Sequence, residues 1–220
     1  MALHFPSTGF HVDAFLFDLD GTLIDSTAAT EAAWSRWGEE LGLDGFVYEY
    51  HGVPAYRIVD EHVEPERRSE ALALIERLES QETDGIVFKE GAEELLAGLP
   101  ADRWTIVTSC TAGLAAARMG AVGLAAPDHL VTVDQLAHGK PHPEGYLLGA
   151  ERLGRAIGRC LVFEDAPAGL QAGNGAGAPT LAITGTTASA DLSADAVVAS
   201  LADLAVAVDS DGSLRVSLRD

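Results

Sequence analysis

VDAFLFDLDGTLIDS, residues 12–26, carries the strongest structural signal in the chain. Five of the six residues at 12–17 are apolar, which is the composition and length of a buried strand. The run stops at Asp18-Leu19-Asp20-Gly21-Thr22, where two acids and a glycine end it. The segment therefore reads as a strand whose C-terminal end presents carboxylates, and ligands of open α/β sheets bind outside such ends.

Downstream of Gly91 the same grammar repeats. Helical segments at 91–100, 112–124, 143–154 and 167–179 alternate with strand-like runs at 104–109, 129–133, 160–165 and 180–184. Such alternation specifies a parallel sheet covered on both faces. The C-terminal LAVAVDSDGSLRVSL reads as a hairpin turning at Asp211-Gly212. Residues 25–80 read differently. A helix runs through 28–41 with Ser26 or Thr27 as its cap, and a second covers 64–80, with Ala71, Leu72, Leu74, Ile75 and Leu78 at helical spacing. A looser stretch joins them. The expected architecture is α/β: a Rossmann-like parallel sheet core, residues 1–22 and 91–220, with an inserted helical cap domain at 23–90.

Composition narrows the function. The chain has 220 residues, 14 basic against 34 acidic, a net charge of −20. A nucleic-acid binder needs a basic face to displace counterions, so nucleic acid is not an expected partner. An anionic membrane surface is disfavoured on the same ground. No run of 18 apolar residues and no leader pattern is visible. Two isolated cysteines, Cys110 and Cys160, make no disulfide framework, so a reduced, cytoplasmic chain is expected. Nothing in the sequence calls for a partner chain, and a monomer is expected.

Four strand ends carry polar residues: Asp18 and Asp20; Thr108 and Ser109; Lys140, just beyond 129–133; and Glu164 with Asp165. In a parallel sheet all these ends lie along one edge. Carboxylates gathered there repel one another and need a counter-charge. With no thiol or histidine cluster among them, oxygen ligands favour a hard cation, Mg²⁺, which commonly serves a phosphate. A lysine and a hydroxyl complete an anion site for a phosphoryl group in transfer. One aspartate can attack phosphorus, and a second two residues on can protonate the leaving oxygen and then activate water.

FLFDLDGTLIDS resembles the first motif of the haloacid dehalogenase superfamily of phosphohydrolases, and IVTSCT, HGKPHPEGY and VFEDAPAGLQAG resemble its second, third and fourth, in order. The resemblance covers nearly the whole chain and is nearer still to the sugar-phosphate and polyol-phosphate phosphatases of that superfamily. It implies Asp18 as nucleophile, Asp20 as general acid/base, Thr108 as the phosphate-binding hydroxyl with the Ser109 N–H beside it, and Lys140 as neutraliser of phosphate and nucleophile charge. It implies Asp165 as a Mg²⁺ ligand with Asp18 and the Asp20 carbonyl, with Glu164 as a direct or water-mediated ligand. HGVPAYR, 51–57, falls where the family places its substrate-specificity loop, so His51, Gly52 and Arg57 are candidate substrate contacts, with Glu82 a weaker one. Cys110, where many relatives carry glycine or serine, is a further candidate. The implied activity is Mg²⁺-dependent hydrolysis of small sugar or polyol phosphates, with substrate entering between core and cap.

The alternative is a sugar phosphomutase of the same superfamily, which must hold a second phosphate. The cap offers few cations beyond Arg57, which favours the phosphatase. A dehalogenase is disfavoured because such relatives lack the acid that Asp20 supplies. A phosphonate hydrolase is disfavoured for the same reason, and because no lysine precedes Lys89 to form an imine. A non-catalytic phosphate or Mg²⁺ sensor is the reading from another class, and the intact motifs argue against it. GNGAG, 173–177, mimics a dinucleotide fingerprint but follows a helix and precedes a strand, the reverse of what a phosphate-binding turn needs. DSDGS, 209–213, lacks the glutamate of a calcium loop and reads as a turn. His142 reads as a loop residue rather than a metal ligand, and Trp34 and Trp37, one turn apart, as helical core.

Overall fold

A computed structural model describes residues 4–50, 53, 55–185, 187 and 191–219. The chain divides into two compact units. One comprises Met1–Asp25, Phe88–Ala112 and Ala125–Asp220, and the other Ser26–Val87 and Gly113–Leu124.

The first unit is built on the expected parallel sheet. Its strands are β2 (Ala14–Phe17), β5 (Trp104–Ile106), β6 (Cys160–Glu164), β7 (Thr180–Ile183) and β8 (Ala196–Val198), in the order β5-β2-β6-β7-β8. All neighbours are parallel, and β2 sits between β5 and β6 with Phe17 level with Ile106 on one side and Phe163 on the other. Alternation along β2 divides its side chains between two faces. Ala14 and Leu16 join a core with Val162, Tyr146 and Ala150, drawn from β6 and helix α6 (Glu144–Arg152), and with Ala172 of α7 (Pro167–Ala176). Phe15 and Phe17 go the other way and meet Phe163 with ring centroids 5.0 and 4.6 Å apart. These strands are buried on both faces, as helix-covered parallel strands must be. Helix α4 (Ala92–Ala97) precedes β5 and ends at Gly98.

Three local expectations need correction. The apolar run 12–17 is not one strand. β1 (Phe10–Val12) pairs antiparallel with β10 (Leu214–Leu218), and the chain switches sheets at Asp13 before β2 begins. Asp13 is the reason: its carboxylate is ion-paired with Arg159 at 2.8 Å, a polar anchor that a continuous buried strand could not contain. The expected strand at 129–133 shrinks to one parallel bridge, Val107 to Val131, followed by a 3₁₀ turn at Val133–Gln135. Ser26 does stand at the N-terminus of its helix, but its side chain makes no capping hydrogen bond. The C-terminal hairpin, β9 (Leu204–Val208) to β10, turns around Gly212 at φ 81° as expected. Asp211 there accepts from the Ser213 N–H and hydroxyl, which makes DSDGS a turn.

The short strands β3 (Ile24–Asp25) and β4 (Val87–Phe88) stand where the chain leaves the first unit and returns. The second unit is helical: α1 (Thr27–Leu41), α2 (Ala55–His62), α3 (Arg68–Gln81) and most of α5 (Ala112–Ala121). Its core joins Trp34, Trp37, Ile58, Val59, Ala71, Ile75 and Leu78. Trp34 and Trp37 meet edge to face at 5.0 Å, and the Trp37 indole N–H donates to the Ala71 carbonyl at 2.8 Å. They are core, as their spacing indicated. Arg118 of α5 is buried too, donating to Thr30 Oγ1 and Glu79. Among the described residues no helix is long and apolar enough to cross a membrane.

Candidate active site

The register of β5, β2 and β6 brings distant residues to one edge. Asp18 follows β2 directly, and its N–H donates to the Phe163 carbonyl at 2.9 Å. Glu164 ends β6 and Asp165 follows it. One oxygen from each of Asp18, Glu164 and Asp165 lies within 4.8 Å of the others, and all three residues are buried. Lys140 reaches this cluster from the loop before α6. Its ammonium donates to Asp18 Oδ1 at 2.5 Å and lies 2.7 Å from Glu164 Oε1. Thr108, beyond β5, is buried, and its Oγ1 accepts the Cys110 N–H at 3.0 Å. Ser109 is exposed on the same turn. Asp20 is half-buried, and its Oδ2 accepts from the Cys110 thiol at 3.1 Å. Cys110 thus spans two strand ends, with its backbone on Thr108 and its sulfur on Asp20.

Two glycines are required by close approach. Gly21 has φ 86°, and a Cβ there would stand 2.0 Å from an Asp165 oxygen. At Gly169 in α7 a Cβ would stand 1.7 Å from Glu164 Oε1. The carboxylates are therefore seated against bare backbone, and a methyl at either position would displace one of them.

Sequence reasoning missed Tyr146. Its hydroxyl, fully buried, donates to Glu164 Oε1 at 2.6 Å, and Lys140 lies 5.2 Å from its ring centroid. The available signal was a tyrosine facing inward among Gly145, Gly149 and Ala150, because a buried phenol needs a hydrogen-bond partner. Glu164 Oε2 accepts the N–H groups of Asp165 and Ala166 at 3.1 and 3.3 Å. Its carboxylate is thus held at both oxygens.

The electrostatics of the cluster are unbalanced. Burial pushes the Asp18 carboxyl well above the usual carboxylate range. Glu164 and Asp165 push the same way, and Lys140 opposes them. Burial alone would lower the Lys140 ammonium, but Asp18 and Glu164 overcome it and hold it well above its ordinary value. Three carboxylates face one ammonium. An all-oxygen donor set with surplus negative charge fits a hard divalent cation of the Mg²⁺ kind.

A cavity of about 10 Å³, room for one water, is lined by Thr108, Ser109, Lys140, His142 and Tyr146 among others. A larger groove of about 610 Å³ runs along β9 and β10, where Arg215 is the one charged residue lining it, and holds none of this chemistry. Arg57 is an exposed residue of α2 in the helical unit, its Nε donating to the Tyr56 hydroxyl at 3.4 Å. Glu82 is ion-paired with Arg36 in the same unit. His51 and Gly52 lie outside the described residues.

Carboxylates, one lysine and a threonine hydroxyl gathered at the C-terminal edge of a parallel sheet mark an α/β enzyme. The chain belongs to the haloacid dehalogenase-like hydrolase family, whose sequence model matches residues 12–177. It is 41% identical over 179 residues to hexitol phosphatase A of Escherichia coli, covering 77% of this chain and 82% of that protein. It is 30% identical over 200 residues to glycerol-1-phosphate phosphohydrolase 2 of Saccharomyces cerevisiae, covering 84% and 80%. Among solved structures it is similar to a CbbY variant of Rhodobacter sphaeroides in complex with xylulose-(1,5)bisphosphate, at a TM-score of 0.76 and 25% identity, covering 88% of this chain and 96% of that one.

Proposed function

We propose that this enzyme hydrolyses phosphoric monoesters of small sugars or polyols through a phosphorylated Asp18. The observation that carries the reading is the contact of Lys140 with both Asp18 and Glu164 inside a buried all-oxygen cluster. The names of the relatives, phosphatases of hexitols and of glycerol phosphate, support the substrate class.

In this reading an Asp18 carboxylate oxygen attacks phosphorus, and the bond from phosphorus to the sugar or polyol oxygen breaks. Asp20 gives that leaving oxygen its proton. Asp20, now a carboxylate, takes a proton from water as the water oxygen attacks the acyl phosphate. The bond from phosphorus to Asp18 breaks, and phosphate leaves. Lys140 favours the charged form of the Asp18 carboxylate against the burial that opposes it, while Thr108 Oγ1 and the Ser109 N–H donate to phosphate oxygens. Asp18, Asp165 and the Asp20 carbonyl, with Glu164 direct or through water, would hold Mg²⁺, which when bound offsets charge on the phosphoryl oxygens. Residues 1–22 and 91–220 do the chemistry, and 23–90 supplies selectivity, with His51, Gly52 and Arg57 as its candidate contacts. We place the enzyme in the cytoplasm as a monomer, its two free cysteines reduced.

The test is phosphate release from a panel of sugar and polyol phosphates, with Mg²⁺ and with EDTA. Release that EDTA abolishes supports the reading, and the ranking names the substrate. No release, with isomer conversion of a phosphosugar once a bisphosphate primer is added, would replace it with a phosphomutase.

A further inference from the structure

The turn that delivers Lys140 carries a second group of metal-ligating side chains, and these face solvent. His138 opens the turn, His142 lies near its end, and Glu144 starts α6. The two imidazole rings stand 4.6 Å apart, inclined at 35°. Glu144 is fixed between them. Its Oε1 accepts the Ala137 N–H at 2.8 Å, and its Oε2 accepts the His138 N–H at 3.0 Å. Oε2 then lies 3.2 Å from His138 Nδ1 and 3.8 Å from His142 Nδ1. One donor atom from each residue lies within 4.8 Å of the other two.

We propose that His138, His142 and Glu144 form a surface site for a borderline transition-metal ion, of which Zn²⁺ is the type, separate from the buried carboxylate cluster. Tetrahedral Zn²⁺, with bonds of about 2.0–2.1 Å, sets its donors about 3.3–3.5 Å apart. The His138 pair, at 3.2 Å, needs to open by only about a tenth of an ångström. The His142 pair closes by a few tenths of an ångström through rotation of an exposed ring. That rotation gives up a long hydrogen bond, Glu144 N–H to His142 Nδ1 at 3.3 Å, which costs little. The side chains of His138 and His142 are 66% and 51% exposed, so an ion can reach them from water and keep water in its fourth position.

The chemistry of the donors separates this site from the first. Two imidazoles and one carboxylate suit Zn²⁺, Co²⁺ or Ni²⁺, whereas Mg²⁺ prefers oxygen alone. The buried cluster of Asp18, Glu164 and Asp165 offers only oxygen. The same unit thus carries two sites of different hardness. The surface ligands bracket Lys140, two residues to either side at His138 and His142, and His142 lines the small cavity that Lys140, Thr108 and Tyr146 share. An ion held by His138 at one end of the turn and Glu144 at the other ties down the segment that positions the Lys140 ammonium. The sequence alone suggested a plain loop histidine at 142. What it could not show is the approach of His138 and the two N–H groups that aim Glu144.

The experiment titrates Zn²⁺ into Mg²⁺-saturated protein by calorimetry, with Co²⁺ as an optical probe of tetrahedral coordination. The expected result is one Zn²⁺ per chain in the unmodified protein, with His138→Ala and His142→Ala each weakening binding at least tenfold. The visible bands of the Co²⁺ form should fade in both variants. Circular dichroism and metal-free melting of the variants should match the parent, which establishes that the loss is of ligands and not of fold. Equal Zn²⁺ affinity in the doubly substituted protein, or no Zn²⁺ binding by the parent at micromolar concentration, would overturn the assignment.

Discussion

Replacing Tyr146 with phenylalanine isolates one hydrogen bond at the centre of the site. The substitution keeps the ring that fills the core with Leu16 and Val162, and it keeps the face turned to Lys140. It removes a hydroxyl that donates to Glu164 Oε1 at 2.6 Å in a fully buried place. A hydrogen bond to a charged acceptor contributes about 1.5–3 kcal/mol. The upper end applies when the acceptor is left unpartnered, and here it is not. Oε1 keeps Lys140 at 2.7 Å, and Oε2 keeps two backbone N–H groups. The expected cost is therefore about 1.5–2 kcal/mol, at the low end of the range. For a chain of this size that lowers the melting midpoint by about 3–8 °C. Urea unfolding of parent and variant at pH 7, with a shared slope, measures the difference directly. An unchanged midpoint would mean that the hydroxyl adds nothing to holding Glu164.

Other consequences follow from the same contacts. Lys140→Met leaves Asp18 and Glu164 without their shared cation. Activity should be lost and stability should fall by up to about 3–5 kcal/mol, with added Mg²⁺ restoring more stability than it adds to the parent. Phosphate release and chemical unfolding with and without Mg²⁺ check both parts. The Arg159 guanidinium holds the Asp13 carboxyl below the usual carboxylate range, first by hydrogen bonding and then by charge. A carboxyl lowered in the folded state stabilises above its unfolded value and loses that contribution as pH falls through its folded value. The pair is part-exposed and screened by solvent, so Arg159→Leu should lower stability only slightly at pH 7. The gap from the parent should close as pH drops below the ordinary carboxylate range, which unfolding curves against pH would reveal. Burial raises the Cys160 thiol to about 11. Iodoacetamide at pH 8 should spare it in the folded protein and label it in urea, as peptide mass mapping can show.

The sequence made the sheet and its working edge legible because both depend on strong local signals. Apolar runs ending in acids mark β2 and β6, and one register rule then carries Asp18 to Asp165 without any contact being known. The misplaced elements share a cause, which is that pairing partners lie far along the chain. Val131 has the β-branched look of a strand, yet its backbone meets only Ile106 and Thr108 before the chain turns away. Ala196–Val198 is three residues among small and polar neighbours, too short for any period to show, and exists because β7 offers it an edge. Asp13 looked like a stray acid in an apolar run until Arg159, 146 residues away, arrived to pair with it. The same holds inside the site. The four motifs supplied its charged groups, but not the tyrosine that fixes Glu164, nor the thiol of Cys110 on Asp20, 90 residues distant. Those contacts are made by packing, which motif spacing does not encode.

The proposed reaction turns on transfer of the phosphoryl group to Asp18. The decisive experiment mixes the enzyme and Mg²⁺ with an intact sugar or polyol phosphate that it turns over, quenches in acid within one turnover, and maps the peptides by mass. One phosphoryl group is expected on the peptide containing Asp18, absent from Asp18→Asn, which should also release no phosphate. Turnover that persists in Asp18→Asn, or a phosphoryl group mapped to another residue, would contradict it.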